Sequence, residues 1–113
     1  MPVISIENAD HYNWGKNCEG WHLAKSENLS VIQERVPPGS SEVKHFHQNA
    51  EQFFYILSGT ATMEITGNVY QLQANQGMYV EAGKVHQLSN QHAQDLLFLV
   101  ISTPPSHGDR VMV

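Results

Sequence analysis

The chain has 113 residues, which fits one domain able to bury roughly two-thirds of the surface its unfolded form exposes. Eleven acidic against six basic residues give a formal charge of −5, so there is no electrostatic footprint for DNA or RNA and nucleic acid is not expected as a partner. No stretch approaches the roughly 20 apolar residues of a spanning helix, Met1 to Asp10 lacks a basic region followed by an apolar run, and the single Cys18 cannot form an internal disulfide. A soluble, cytoplasmic protein with no membrane partner is the expectation.

Apolar and polar residues alternate with period two along most of the chain. In chain order the candidate strands are Val3 to Ile6, Gly20 to Ala24, Leu29 to Val36, Glu42 to His47, Gln52 to Leu57, Thr60 to Ile65, Val69 to Leu72, Gly77 to Val80, His86 to Asn90 and Leu96 to Ser102. The clearest is Thr60 to Ile65, where Ala61, Met63 and Ile65 take one face and Thr60, Thr62 and Glu64 the other. Thr66-Gly67-Asn68 then turns the chain into Val69, making a hairpin. Turn residues punctuate nearly every other boundary, and no segment has helical period. The pattern predicts an all-β antiparallel sandwich or barrel, one domain over 1–113, with a core at about 20–102, an N-terminal arm at 1–19 and a C-terminal tail at 103–113. Two runs, Phe53 to Leu57 and Leu96 to Ile101, are apolar on both faces. One face can enter the barrel, and a second copy of the chain is the economical cover for the other. Phe53, Tyr55 and Leu57 are therefore expected to face outward into a homodimer interface, with Val3 to Ile6 adding an edge strand.

The chemistry is concentrated at His45-Phe46-His47, followed by Gln52, whose amide can donate one more oxygen, and closed at His86. On a strand, side chains at i and i+2 point the same way with Cα atoms about 6.6 Å apart, a chelating geometry. A helix would place the same pair about 200° apart. The spacing argues for a metal held by imidazoles on a β scaffold. The other histidines, His11, His22, His92 and His107, carry no such pattern.

These residues resemble the two motifs of the cupin superfamily. Gly39, five residues, His45, Phe46, His47, four residues, Gln52, six residues and Gly59 reproduce the first, with Gln52 where glutamate is usual. Gly83, two residues, His86, three residues and Asn90 represent the second, with Asn75 and Glu81 where glycine and proline are usual. Asn75 can adopt a left-handed turn nearly as glycine does. Counting flanking strands, the resemblance covers about residues 30 to 102. It implies a double-stranded β-helix, or jelly-roll barrel, holding one divalent transition metal per chain (Fe, Mn, Ni or Zn) on His45, His47, Gln52 and His86. Glu51 is the competing ligand, because the motif tolerates either spacing. Strand alternation favours Gln52, which shares the inner face with Phe54 and Ile56. A neutral amide in place of a carboxylate leaves the ion its full +2 charge.

Cupins with such sites include dioxygenases, isomerases, hydratases and decarboxylases, so the resemblance points to a metal-dependent enzyme acting on a small oxygen-rich ligand: a hydroxy or keto acid, an enediol or a sugar-derived molecule. The alternative is a non-catalytic small-molecule or metal-binding module. No motif marks an acid/base residue; Glu34, Arg35, Tyr70 and Glu81 are the candidates. Trp14 and Trp21 are either core or pocket lining. The segment Ser102 to Arg110 is either an ordered surface extension or a flap bringing His107, Asp109 or Arg110 to the pocket or to a neighbouring subunit.

Overall fold

The alternating segments become eleven strands in the computed structural model, which describes residues 3–113. They are β1 (Asp10–Trp14), β2 (Cys18–Lys25), β3 (Ser30–Val36), β4 (His45–His47), β5 (Glu51–Ser58), β6 (Thr60–Ile65), β7 (Asn68–Gln73), β8 (Gly77–Val80), β9 (His86–Ser89), β10 (Leu96–Thr103) and β11 (Arg110–Met112). Every strand pair is antiparallel. A six-stranded sheet runs β1-β2-β3-β10-β5-β8, and a five-stranded sheet runs β11-β4-β9-β6-β7. Facing each other, the two sheets form a double-stranded β-helix. Among the described residues there is no helix, and so none long and apolar enough to cross a membrane.

Inward-facing side chains explain why the two sheets close on each other. Leu96, Phe98 and Val100 of β10 and Phe54 and Ile56 of β5 meet Ile32 and Val36 of β3 on one side. Ala61, Met63, Leu72 and Leu88 fill the other. This inner face changes character along the barrel. Its middle is apolar, whereas at one end the row Ser30, Ser102 and Gln52 runs across β3, β10 and β5, and His45, His47 and His86 are buried in the opposite sheet. Turns follow the local chemistry. Thr66 and Gly67 both take positive φ in the two-residue loop between Ile65 and Asn68, the twist a tight hairpin needs. Asn75 has φ 68°, the left-handed conformation expected of it. Gly59 has φ 85°, and a Cβ there would strike the Asp95 carbonyl oxygen.

Three expectations are corrected. Val3 to Ile6 is not an edge strand: Asn8 accepts the Ser5 N–H through Oδ1 (2.8 Å) and donates Nδ2 to the Val3 carbonyl (2.9 Å), so local side-chain bonds turn this stretch. The N-terminal edge strand is β1 instead. Glu42 to His47 is strand only from His45, because Glu42 already spends its carboxylate on the Leu88 N–H (2.9 Å) and its carbonyl on the Gln87 side chain (2.9 Å). The tail ends in a strand, β11, which pairs with β4 and sets Arg110 opposite His47 and Met112 opposite His45.

Candidate metal centre and its cavity

Strand β4 brings His45 and His47 to the inner face, and the β4–β9 pairing sets His86 directly opposite His45. The three rings lie with centroids 4.5 to 5.7 Å apart, and one nitrogen from each comes within 4.8 Å of the others. All three are buried, 1 to 4% exposed. The Nδ1 of His86 faces the Lys84 carbonyl at 2.9 Å and that of His45 the Val43 carbonyl, so each Nδ1 carries the proton and each Nε2 is left as a lone-pair donor. Burial pushes the His45 and His47 imidazoles down to about 4 and lowers that of His86 as well. At neutral pH they are uncharged, the form that coordinates a cation.

Gln52 stands at the start of β5, 6% exposed, on the same face as Phe54 and Ile56, whereas Glu51 is exposed. Its Nε2 donates to the hydroxyl of Ser102, its cross-strand neighbour on β10, at 3.0 Å. That bond turns Oε1 the other way, where it is buried without a hydrogen-bond partner. His47 Nδ1 and His86 Nε2 are buried without partners too. Unpaired buried acceptors cost about 1–3 kcal/mol each, and a cation among them would relieve that cost at once. This donor set therefore fits a divalent ion: three neutral nitrogens and one amide oxygen suit a transition metal better than Ca²⁺ or Mg²⁺.

His45, His47 and Gln52 open onto a cavity of about 210 Å³ whose walls include Tyr12, Trp14, Glu34, Glu42, His107 and Arg110. Of the acid/base candidates, only Glu34 lines it. Arg35 pairs with Glu19 and Asp95 on the outer face, and Tyr70 and Glu81 are exposed. Glu34 is pushed up to about 7 and Glu42 to about 8, both chiefly by burial, with the Arg110 charge working the other way. Trp14 both lines the cavity and packs on the core, and Trp21 lies against His11. The sequence pattern alone does not single out Tyr12, Glu42 or Ser102 for the cavity. Only Ser102 left a trace in the sequence, as the polar residue in phase with Leu96, Phe98 and Val100.

The tail is a wall of this cavity. Asp109 accepts the backbone N–H groups of Gln48, Asn49 and Ala50 at 3.1, 2.9 and 2.9 Å, fastening β11 to the turn between His47 and Gln52. Partial burial works to raise the Asp109 carboxyl, but those donors outweigh it and hold the group below the usual aspartate range. His107 and Arg110 thereby face the histidines, while Asp109 faces the turn.

The family model described as a cupin domain matches residues 32–102. This chain is a cupin. It is 30% identical over 104 residues to the oxalate-binding protein of Thermotoga maritima, a match covering 87% of this chain and 86% of that one. It is also 29% identical over 85 residues to a Vibrio cholerae protein named a mannose-1-phosphate guanylyltransferase, covering 74% of this cupin but spanning only 18% of that relative. Among solved structures, KdgF from Halomonas sp. superposes with a TM-score of 0.86 at 15% identity, over 95% of this chain and 98% of that one, a likeness of fold. Strands β1, β2 and β11 of this cupin lie outside the matched segment, yet β1 and β11 supply Tyr12, Trp14 and Arg110 to the cavity.

Proposed function

We propose that this cupin holds one divalent transition metal on His45, His47, His86 and Gln52, and acts on a small, oxygen-rich anion (a hydroxy or keto acid, an enediol or a sugar-derived acid) by isomerase- or dioxygenase-type chemistry. The observation that carries this is that three neutral imidazoles come within 4.8 Å of one another, two of them, His45 and His47, lining a cavity together with the unpartnered amide oxygen of Gln52 and with Arg110. When bound, the metal supplies Lewis acidity, polarising an oxygen of the ligand. The protein's own residues do the rest. Ser102 holds the Gln52 amide in orientation, and because that amide is neutral, no ligand charge among the four side chains cancels that of the ion. Arg110, opposite His47 and without an ion-pair partner among the described residues, adds a further positive charge on the same side. An anion entering this low-dielectric space is held by charge as well as by coordination.

A second function is favoured by one observation, the 30% identity to a protein named for binding oxalate: the cavity binds such an anion without turning it over. Metal analysis of the purified protein, followed by titration of oxalate into metal-loaded wild type and Gln52→Glu, tests the common core of both. The Glu variant should bind metal more tightly and oxalate at least 10-fold more weakly. Equal or tighter oxalate binding by the variant would refute the role given to the neutral ligand. Turnover of enediols and keto acids, with and without oxygen, separates isomerase from oxygenase and both from a binding module. The same proposal includes a homodimer formed on the outer face of the six-stranded sheet.

A further inference from the structure

Opposite the histidines, three strands place one row of residues side by side: Tyr12 of β1 pairs with Gly20 of β2, and Gly20 pairs with Glu34 of β3. The ends of this row are two strand spacings apart, about 9.6 Å, beyond ordinary cross-strand contact. They touch all the same, because the middle residue has no side chain. The Tyr12 ring lies flat over Gly20, where a Cβ would collide with both the ring and its hydroxyl. Across that gap the Tyr12 hydroxyl donates to Glu34 Oε2 at 2.9 Å. His22 and His107 flank the ring, with centroids 5.1 and 6.2 Å away, and fix its tilt. One carboxylate oxygen of Glu34 is thus held, and the other has no hydrogen-bond partner among the described residues in a cavity it lines. Glu42, the other acid of the wall, spends an oxygen on the Leu88 N–H and has no such support.

We propose that Glu34, positioned by the Tyr12 hydroxyl across Gly20, is the catalytic residue that exchanges a proton with the ligand, which makes the substrate a carbon acid: a hydroxycarbonyl compound, keto acid or enediol that is isomerised. Ionised Glu34 takes the proton from a carbon next to the ligand's carbonyl, and the C–H electron pair moves into the adjoining bond to give an enediolate. The hydroxyl proton passes between the two adjacent oxygens, and protonated Glu34 returns the carbon proton to the former carbonyl carbon, so that a carbonyl re-forms where the hydroxyl stood. Protons and electrons balance with no co-reactant. Burial supports the assignment by pushing Glu34 up to about 7, so that both forms are populated at neutral pH. The other titratable or charged groups lining the cavity around it are Tyr12, Glu42, His45, His47, His107 and Arg110. Tyr12 is the positioning residue.

This inference rests on the small-anion function proposed above, and the test keeps the two apart. Oxalate is titrated calorimetrically at pH 7 into metal-loaded protein, in buffers of different ionisation enthalpy, to count protons. An anion arriving beside an ionised or partly ionised carboxyl should draw a fraction of a proton onto it per oxalate bound. Glu34→Gln should abolish that uptake while still binding oxalate, and Glu42→Gln should leave it in place. Uptake that persists in Glu34→Gln assigns the proton to Glu42 or His107 and overturns the proposal. Failure of oxalate to bind at all would instead count against the proposed function. In that case the carboxyl ¹³C titration of Glu34 in ligand-free protein decides: the midpoint should lie near 7 and move upward by about one unit in Tyr12→Phe, which loses the hydrogen bond to the ionised form. A midpoint near the ordinary 4.3, or one that Tyr12→Phe leaves in place, overturns the Tyr12–Glu34 assignment.

Discussion

Replacing Asp109 with alanine should weaken both the fold and the metal centre, although the hydrogen bonds of its carboxylate all go to backbone N–H groups. Its carboxylate accepts three backbone N–H bonds from Gln48, Asn49 and Ala50, the residues that join His47 to the strand of Gln52. Hydrogen bonds to a charged group contribute about 1.5–3 kcal/mol each when both partners are shielded. Here Gln48 and Asn49 are exposed, so water replaces their bonds at little cost, whereas Ala50 is 2% exposed and its N–H would be left bare. The expected loss is about 2 kcal/mol, well short of the sum of three bonds. Because β11 is tied to β4 through the same residue, the relation between His47 and Gln52 loosens, and metal affinity should fall about 10-fold or more, as for other supports of a metal site. The sign with pH follows from the lowered carboxyl. Its contribution is complete above the unfolded pKa of about 4 and is lost as pH falls below it, so wild type and Asp109→Ala should converge in acid. Urea unfolding of the metal-free proteins at pH 7 and pH 3, with zinc titration at pH 7, measures all three. A difference under 0.5 kcal/mol at pH 7 together with unchanged zinc affinity would refute the role of the clamp.

Metal affinity should be flat down to about pH 5 and fall steeply below it, because the buried His45 and His47 imidazoles stay neutral until about 4; half-loss near pH 6.5, the value for exposed histidine, would show that burial does not protect them. Glu51→Ala should leave the metal in place, whereas Gln52→Ala should weaken it and His47→Ala abolish it, measured by metal content after dialysis; the reverse order of the first two would mean that β5 is out of register by one residue. Phe98→Ala, truncating a side chain 1% exposed in the middle of β10, should cost about 3–5 kcal/mol by chemical denaturation, and a loss below 1 kcal/mol would place the core elsewhere. Light scattering at micromolar concentration should give twice the chain mass of 12.7 kDa, and replacing Phe53 and Leu57, each 39% exposed on the outer face, with lysine should halve it; a wild-type mass of 12.7 kDa counts against the dimer.

Much of the barrel could be read from period-two alternation, because burial on one face of a strand leaves its mark on every second residue. Gln52 was distinguished from Glu51 in this way, and the structure puts Gln52 inside with Phe54 and Ile56. Segments governed by something other than alternation escape this pattern. Val3 to Ile6 alternates convincingly, but Asn8 offers its backbone a local partner and there is no neighbour to pair with. Asp10–Trp14 looks too polar for a strand, and what holds it is Tyr12 lying over Gly20, a contact between strands. Arg110–Met112 is only three residues long, and its partner His45–His47 lies more than 60 positions away, so no local pattern could announce it. The cavity wall was hard to foresee for the same reason: its residues are assembled by pairing, while the histidines announce themselves by spacing alone.

Tyr12 and Arg110 sit on β1 and β11, and each of these is the outermost strand of its sheet. An outermost strand has one neighbour, so it can be altered without disturbing register on two sides. The most heavily packed strands, β3, β10 and β5, lie inside the larger sheet and bear the cost of most core substitutions. The cavity's Tyr12 and Arg110 and most of the apolar core therefore lie on different strands of this cupin. A designer could vary Asp10–Trp14 and Arg110 to retune what the cavity admits, keeping the Asp109 clamp, the central strands and the three histidines as they stand.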